Sequence, residues 1–200
     1  MSYLRPDALA EFELEVKKSR FIGLAFPVQS REEALAHLAR TQARFPDARH
    51  HCWAYVVGNP NNAASLAAND DGEPSGTAGK PILNVLMHKE IGDIMLIVVR
   101  YFGGIKLGAG GLTRAYSQTA DGVVQKLSLV RPVLMRIWHF RCAFAQEQYL
   151  RHFLSLQQGE ILEIHYGQEV EGKLSLPQDV AQADKVLQGQ GIELRAQSEQ

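Results

Sequence analysis

The apolar run Ile-Met-Leu-Ile-Val-Val at residues 94–99 most constrains the fold of this chain. Four of its six residues are β-branched, and no polar residue interrupts it. This pattern predicts a strand that is buried on both faces. The chain is 46% hydrophobic and 22% charged, as in ordinary globular proteins, which excludes the disordered and fibrous classes. We therefore expect an α+β fold around this strand.

Other elements are predicted on both sides of the run. Polar and apolar alternation predicts a hairpin over residues 12–26, with a tight basic turn at Lys17 and Lys18, and further strands at residues 51–57 and 65–68. Apolar residues at helical spacing predict helices at residues 31–44, 77–88 and 111–127. Ser30 and Glu33 form a capping box before the first helix.

The pair Arg131-Pro132 interrupts the pattern and predicts a boundary between two domains, residues 1–131 and 132–200. The second domain shows a βαββαβ order, which is typical of a ferredoxin-like fold. Its predicted elements are strands at 133–143, 161–166, 170–176 and 192–196, and helices at 146–156 and 177–187.

Charge and cysteine content narrow the functional classes. The formal net charge of -1 argues against a protein that coats nucleic acid through bulk charge, although a local basic site stays open. Cys52 and Cys142 match no metal or disulfide spacing. Residues 1–6 lack the apolar core of a signal peptide, and no apolar run approaches about 18 residues. We expect a cytoplasmic protein with no membrane contact.

Residues 70–81 place three carboxylates, Asp70, Asp71 and Glu73, before a predicted helix start. Unpaired N–H groups at a helix start attract anions, so residues 76–80 are predicted to cradle a phosphate or carboxylate, with Lys80 adding charge. The spacing is not that of a Walker loop. A turn whose acidic residues cap the helix is the structural alternative.

Residues 100–116 form a second glycine-rich stretch, with five glycines between positions 103 and 111. Glycine at this density permits positive φ and close approach of backbone or ligand. The G-x-G-x-x-G register is not met, so no dinucleotide is predicted, and no other cofactor. Cationic and aromatic side chains stand among and beside the glycines, and this combination is typical of an RNA-binding surface. They are Arg100, Tyr101, Phe102, Lys106, Arg114 and Tyr116.

His50 and His51 open a predicted strand and should point to opposite faces, since successive strand residues alternate. They cannot readily share one metal ion, and a site with Asp70 or Asp71 lacks a third ligand, so no metal is predicted. Cys52 beside them is expected to be inert packing.

Four segments together resemble the IMPACT family, which occurs in bacteria and eukaryotes. They are residues 18–22 (Lys-Ser-Arg-Phe-Ile), 48–54 (Ala-Arg-His-His-Cys-Trp-Ala), 70–81 and 98–116. The resemblance implies an N-terminal domain with the fold of a ribosomal protein domain and of domain IV of elongation factor G. It also implies a C-terminal domain like that factor's last domain. Eukaryotic members regulate a stress kinase pathway through an extra N-terminal domain, which we do not expect this chain to share.

The leading hypothesis is a non-enzymatic, translation-linked protein that binds RNA or the ribosome through these loops. Its predicted contacts are Arg49, His50, Gly76, Thr77, Gly79, Lys80, Arg100, Tyr101, Gly103, Gly104, Lys106, Gly108, Gly110, Gly111 and Arg114. Two alternatives stay open. One is a small-molecule hydrolase with His51, Asp70, Asp71 and Glu73 as acid, base or metal ligands. The other is a protein-docking module that uses residues 70–74 as an acidic surface.

Overall fold

The computed structural model describes residues 3–133, 135–180 and 182–197. The chain divides into two units, Met1–Pro132 and Val133–Gln200. The strands of the first unit are β1 (Arg5–Pro6), β2 (Ala10–Val16), β3 (Ser19–Pro27), β4 (His50–Val57), β5 (Ser65–Asn69), β6 (Ile94–Tyr101) and β7 (Leu129–Val130). Its helices are α1 (Arg31–Arg44), α2 (Gly79–His88) and α3 (Gly108–Val124), with a 3-10 turn at Pro60–Asn62.

The first unit is built on a five-stranded antiparallel sheet with the order β2-β3-β6-β4-β5. Strand β6 lies at its centre, and residues 94–99 are fully buried, as the apolar run predicts. Helices α2 and α3 pack on one face, where Leu96 and Val98 point, and α1 packs on the other, where Met95 and Ile97 point. This arrangement confirms the prediction of a strand buried on both faces.

Local sequence signals explain where the helices begin. The Ser30 hydroxyl accepts a hydrogen bond from the Glu33 N–H at 3.1 Å, and the Glu33 carboxylate accepts one from the Gln29 N–H at 2.8 Å. The predicted cap of α1 is therefore confirmed. The predicted start of α3 at residue 111 is wrong by three residues, because Gly108, Ala109 and Gly110 already belong to its first turn. The short pair β1 and β7 was not predicted.

The second unit follows the predicted βαββαβ order. Its elements are β8 (Met135–Cys142), α4 (Phe144–Leu156), β9 (Glu160–Tyr166), β10 (Val170–Pro177), α5 (Ala183–Gln188) and β11 (Glu193–Ala196). They form an antiparallel sheet with the order β11-β8-β10-β9 over its own core. The helix predicted at 177–187 is wrong at its start, since Pro177 still pairs with Met135 in the sheet and Gln182 is left-handed at φ 56°. No helix among the described residues is long and apolar enough to cross a membrane.

Candidate functional site

The topology of the first unit brings the predicted site segments to one end of its sheet. The register pairs Arg20 with Tyr101 and His50 with Arg100, so the starts of β3 and β4 lie beside the end of β6. Helix α2 follows the end of β5 and helix α3 follows the end of β6. We call this the loop end: residues 17–19, 48–51, 70–80 and 102–114.

The N–H groups at the start of α2 already bind a carboxylate of the protein itself. The Asp70 carboxylate accepts hydrogen bonds from the N–H groups of Gly76 at 2.8 Å, Ala78 at 2.9 Å and Gly79 at 2.8 Å. Burial alone would raise the pKa of Asp70, but these three hydrogen bonds lower it overall. The donors that the sequence assigned to a bound phosphate are therefore engaged, while Lys80 next to them is exposed.

Hydrogen bonding and close backbone packing stabilise the turn between Asp70 and α2. The Thr77 hydroxyl is buried and donates to the Pro74 carbonyl at 2.6 Å. Gly79 lies against the Asn69 backbone, and a Cβ at Gly79 would come within 2.7 Å of the Asn69 nitrogen. These contacts give Thr77 and Gly79 structural roles in the turn that presents Gly76 and Lys80 at the loop end.

A buried ion pair connects this turn to the central strand. The Arg100 Nη1 lies 2.5 Å from the Glu73 Oε1, and the two side chains are only 7% and 4% exposed. The Tyr116 hydroxyl donates to the same Glu73 oxygen at 2.8 Å, and the Cys52 thiol donates to the Tyr116 oxygen at 3.2 Å. Arg100, predicted as an exposed phosphate contact, is therefore part of the interior.

The hydroxyl and thiol of this cluster act as hydrogen-bond donors. Burial raises the pKa of the Tyr116 hydroxyl, and the neighbouring Cys52 and Glu73 raise it further. Burial likewise raises the pKa of Cys52, and the nearby Glu73 carboxylate raises it further. A thiol with a raised pKa is a poor nucleophile, because the thiolate is the reactive form. The cluster therefore has the chemistry of a structural network.

The two histidines and Asp71 form a separate contact. The Asp71 carboxylate accepts from the His51 backbone N–H at 2.6 Å and lies 3.8 Å from its Nδ1, while the His50 Nδ1 lies 2.8 Å from the Asp71 carbonyl oxygen. The buried His51 Nε2 has no hydrogen-bond partner among the described residues. By strand alternation, His50 shares the face of Cys52 and His51 shares the face of Trp53.

The four candidate catalytic residues thus do not share one reaction centre. Asp70 binds the start of α2, Glu73 binds Arg100 and Tyr116, and Asp71 binds His51. Each carboxylate has a different set of donors. The described part of the chain contains no group of three or more His, Cys, Asp or Glu side chains arranged to hold a metal ion.

The second glycine-rich loop contains glycines of three kinds. A Cβ at Gly103 would come within 1.9 Å of the Lys18 carbonyl carbon, so this glycine permits the loop to pack on the turn between β2 and β3. Packing also favours glycine at position 111, where an added Cβ would lie 3.0 Å from the Leu107 Cβ. Gly104 and Gly108 are of a second kind, because they have positive φ. Gly110 has neither a positive φ nor any atom within 4 Å of an added Cβ. Neither backbone conformation nor packing requires glycine at position 110.

The loop end carries six exposed cations. They are Lys17, Lys18, Arg49, Lys80, Lys106 and Arg114. None of the six makes a salt bridge with any residue that the structure describes. Tyr101 is half-buried on the α1 face, whereas Phe102 is 52% exposed. Lys17 and Lys18 were not predicted as site residues, although their place in a turn before β3 was predicted.

Comparison with known proteins matches most of the first unit to a protein family. The model of the Impact N-terminal domain matches residues 17–124, which include every segment of the loop end. The chain belongs to the IMPACT family. This confirms the resemblance based on the four sequence segments.

Relatives and a solved structure extend the match to both units. An IMPACT family member from Haemophilus influenzae is 43% identical over 163 residues, covering 80% of this chain and 78% of that protein. The IMPACT family member YigZ from Escherichia coli (strain K12) is 39% identical over 176 residues, covering 88% and 86%. A crystal structure of a hypothetical protein is 36% identical, with a TM-score of 0.75, and covers 100% of this chain and 98% of its own.

Proposed function

We propose that this IMPACT family protein is a non-enzymatic, cytoplasmic binding protein that docks on RNA or on a ribosomal phosphate surface through its loop end. The observation that carries this proposal is the distribution of charge there. Six exposed cations lack carboxylate partners among the described residues, while Asp70, Asp71 and Glu73 are engaged by other groups of the same unit. Phosphate oxygens are the natural partners of such cations.

The family resemblance supports a link to translation. It implies a first unit with the fold of a ribosomal protein domain and of domain IV of elongation factor G, and a ferredoxin-like second unit. Similarity of fold is by itself a weak guide to function. The main support for the proposal is therefore the charge pattern at the loop end. The open backbone at Gly110 adds room for close approach of a ligand.

The two alternatives receive less support from the same geometry. A hydrolase needs a base and a nucleophile within reach of one reacting atom, but the three carboxylates serve separate partners and the pKa of Cys52 is raised. An acidic docking surface needs free carboxylates, and those of Asp70 and Glu73 accept hydrogen bonds from the protein itself. We therefore favour the binding function.

Co-sedimentation with RNA and with ribosomes across a salt series tests the proposal. Lys106→Glu and Lys80→Glu should weaken binding, and each lost phosphate contact should reduce the salt slope by about one. Arg31→Glu is the matched control, because Arg31 is an exposed cation that follows the opposite end of β3. Equal binding by wild type and both loop-end variants at every salt concentration would reject the proposal.

A further inference from the structure

The exposed ring of Phe102 lies at the end of a layered stack. The Arg100 guanidinium carbon lies 5.5 Å from the centroid of the buried Phe21 ring and 5.7 Å from the centroid of the Phe102 ring. Phe21 and Arg100 are paired neighbours on β3 and β6, and Phe102 follows the end of β6. The stack therefore runs from the interior outward to a ring that is 52% exposed.

This ring is held in place before any ligand arrives. Its partner Arg100 is fixed by the buried Glu73 carboxylate, which Tyr116 also binds. The next residue, Gly103, packs on the Lys18 backbone and donates its N–H to the Ser19 hydroxyl at 3.2 Å. A fixed aromatic ring loses little side-chain freedom on binding, which favours stacking of a flat partner on its free side.

The surroundings of Phe102 identify the chemistry of that partner. Gly103, which follows Phe102 directly, packs on the backbone of the turn that carries Lys17 and Lys18, and Lys106 lies four residues after Phe102 in the loop. All three are exposed and make no salt bridge among the described residues. A flat aromatic group flanked by phosphates is an unpaired nucleotide, whose base face is free to stack, unlike a base inside a duplex.

We propose that Phe102 is the stacking platform for an unpaired base of single-stranded RNA, with Lys17, Lys18 and Lys106 contacting the adjacent phosphates. This inference rests on the proposed RNA-binding function and specifies its ligand as single-stranded. It predicts two separable contributions to binding. Stacking is sensitive to the ring and insensitive to salt, whereas the phosphate contacts are sensitive to salt and can form with both single-stranded and duplex RNA.

Fluorescence anisotropy with labelled single-stranded oligoadenylate and a blunt RNA duplex of equal length tests the inference. Phe102→Leu removes the aromatic face and should weaken oligoadenylate binding about tenfold without changing its salt slope or the duplex affinity. Phe102→Tyr keeps the ring and should bind like wild type. Lys106→Gln should weaken binding to both RNAs and reduce both salt slopes.

Two results would overturn the inference, and they have different meanings. If wild type binds RNA in a salt-dependent manner but Phe102→Leu has no effect on oligoadenylate, or equal effects on both RNAs, the stacking role is refuted and the proposed function stands. If wild type binds neither RNA at low salt, the proposed function fails together with the inference. Thermal unfolding of each variant verifies that it is folded, which we expect because Phe102 is exposed.

Discussion

The buried pair of Glu73 and Arg100 should make a measurable and strongly coupled contribution to the stability of the first unit. Arg100→Met removes the cation and leaves the Glu73 carboxylate, 4% exposed, with the Tyr116 hydroxyl as its one side-chain partner among the described residues. Removal of one member of a buried pair costs about 3–5 kcal/mol, because the remaining charge stays away from water. We expect the lower part of this range, since the buried Arg100 Nε has no hydrogen-bond partner in the part of the chain that the structure describes.

The double variant Glu73→Gln, Arg100→Met should recover part of that loss. It removes both charges, and the new amide side chain at position 73, neutral and of similar size, can still accept from the Tyr116 hydroxyl. Replacing a buried pair by neutral groups is often close to neutral, so the double variant should be more stable than Arg100→Met by about 2 kcal/mol. The Glu73→Gln single variant, which leaves Arg100 buried and uncompensated, should lose stability as well.

Urea unfolding followed by tryptophan fluorescence measures these differences. The chain has two tryptophans, Trp53 in β4 and Trp138 in the second unit, so a Trp138→Phe background makes Trp53 the reporter of the first unit. A loss below about 1 kcal/mol in Arg100→Met would refute the reasoning. So would a double variant whose loss equals the sum of the two single losses, since uncoupled residues are additive.

Three further variants or measurements test single features of the loop end. Asp70→Asn should destabilise the protein by about 1 kcal/mol at neutral pH. Because the pKa of Asp70 is lowered on folding, this advantage over Asn should persist above about pH 4 and disappear as the pH falls further, which urea unfolding at several pH values would reveal. Gly110 lies in the first turn of α3, where glycine costs less than in a helix interior, so Gly110→Ala should stabilise α3 by at most about 0.5 kcal/mol and yet weaken RNA binding; a gain in both would argue against close approach of RNA there. Cys52, whose pKa burial raises, should react with a thiol reagent at neutral pH only after unfolding, and fast labelling of the native protein would contradict its buried, donor role.

Strong periodicity made most elements of the fold predictable. The helix Arg31–Arg44 was predicted to its ends, because the capping box and the apolar spacing agree. The start of α3 was predicted too late, because Gly108 and Gly110 were interpreted as loop although they lie in the helix. Glycine disfavours a helix only weakly near its first turn, so composition alone could not locate that boundary.

The site shows where local sequence ceases to be informative. At the start of α2 the sequence left two interpretations open, a cradle for a bound anion and a turn whose acidic residues cap the helix. The structure shows the second, because the Asp70 carboxylate accepts from N–H groups six to nine residues further along the chain. Arg100 was predicted as an exposed contact because it stands with other cationic and aromatic residues beside the glycine-rich stretch. Its burial depends on Glu73 and Phe21, which lie 27 and 79 positions away in the sequence.

A net charge near zero is compatible with the proposed RNA binding, because the charges are unevenly distributed over the chain. The carboxylates of residues 70–73 serve internal partners, and other acidic side chains, such as Glu11 and Glu13, pair with Arg44 and Arg20. Beyond about 10 Å, salt at 0.1 M screens most of the electrostatic field of the other charges. The local excess of cations at the loop end therefore determines the attraction for phosphate.

That excess also limits how strongly salt can affect binding. Each phosphate contact contributes about 0.7–0.9 to the slope of log K against log salt, so the six exposed cations allow a slope of at most about −4 to −5. A steeper slope, measured by co-sedimentation across a salt series, would mean that cations outside the loop end contact the RNA. A slope near zero would mean that phosphate contacts do not drive binding.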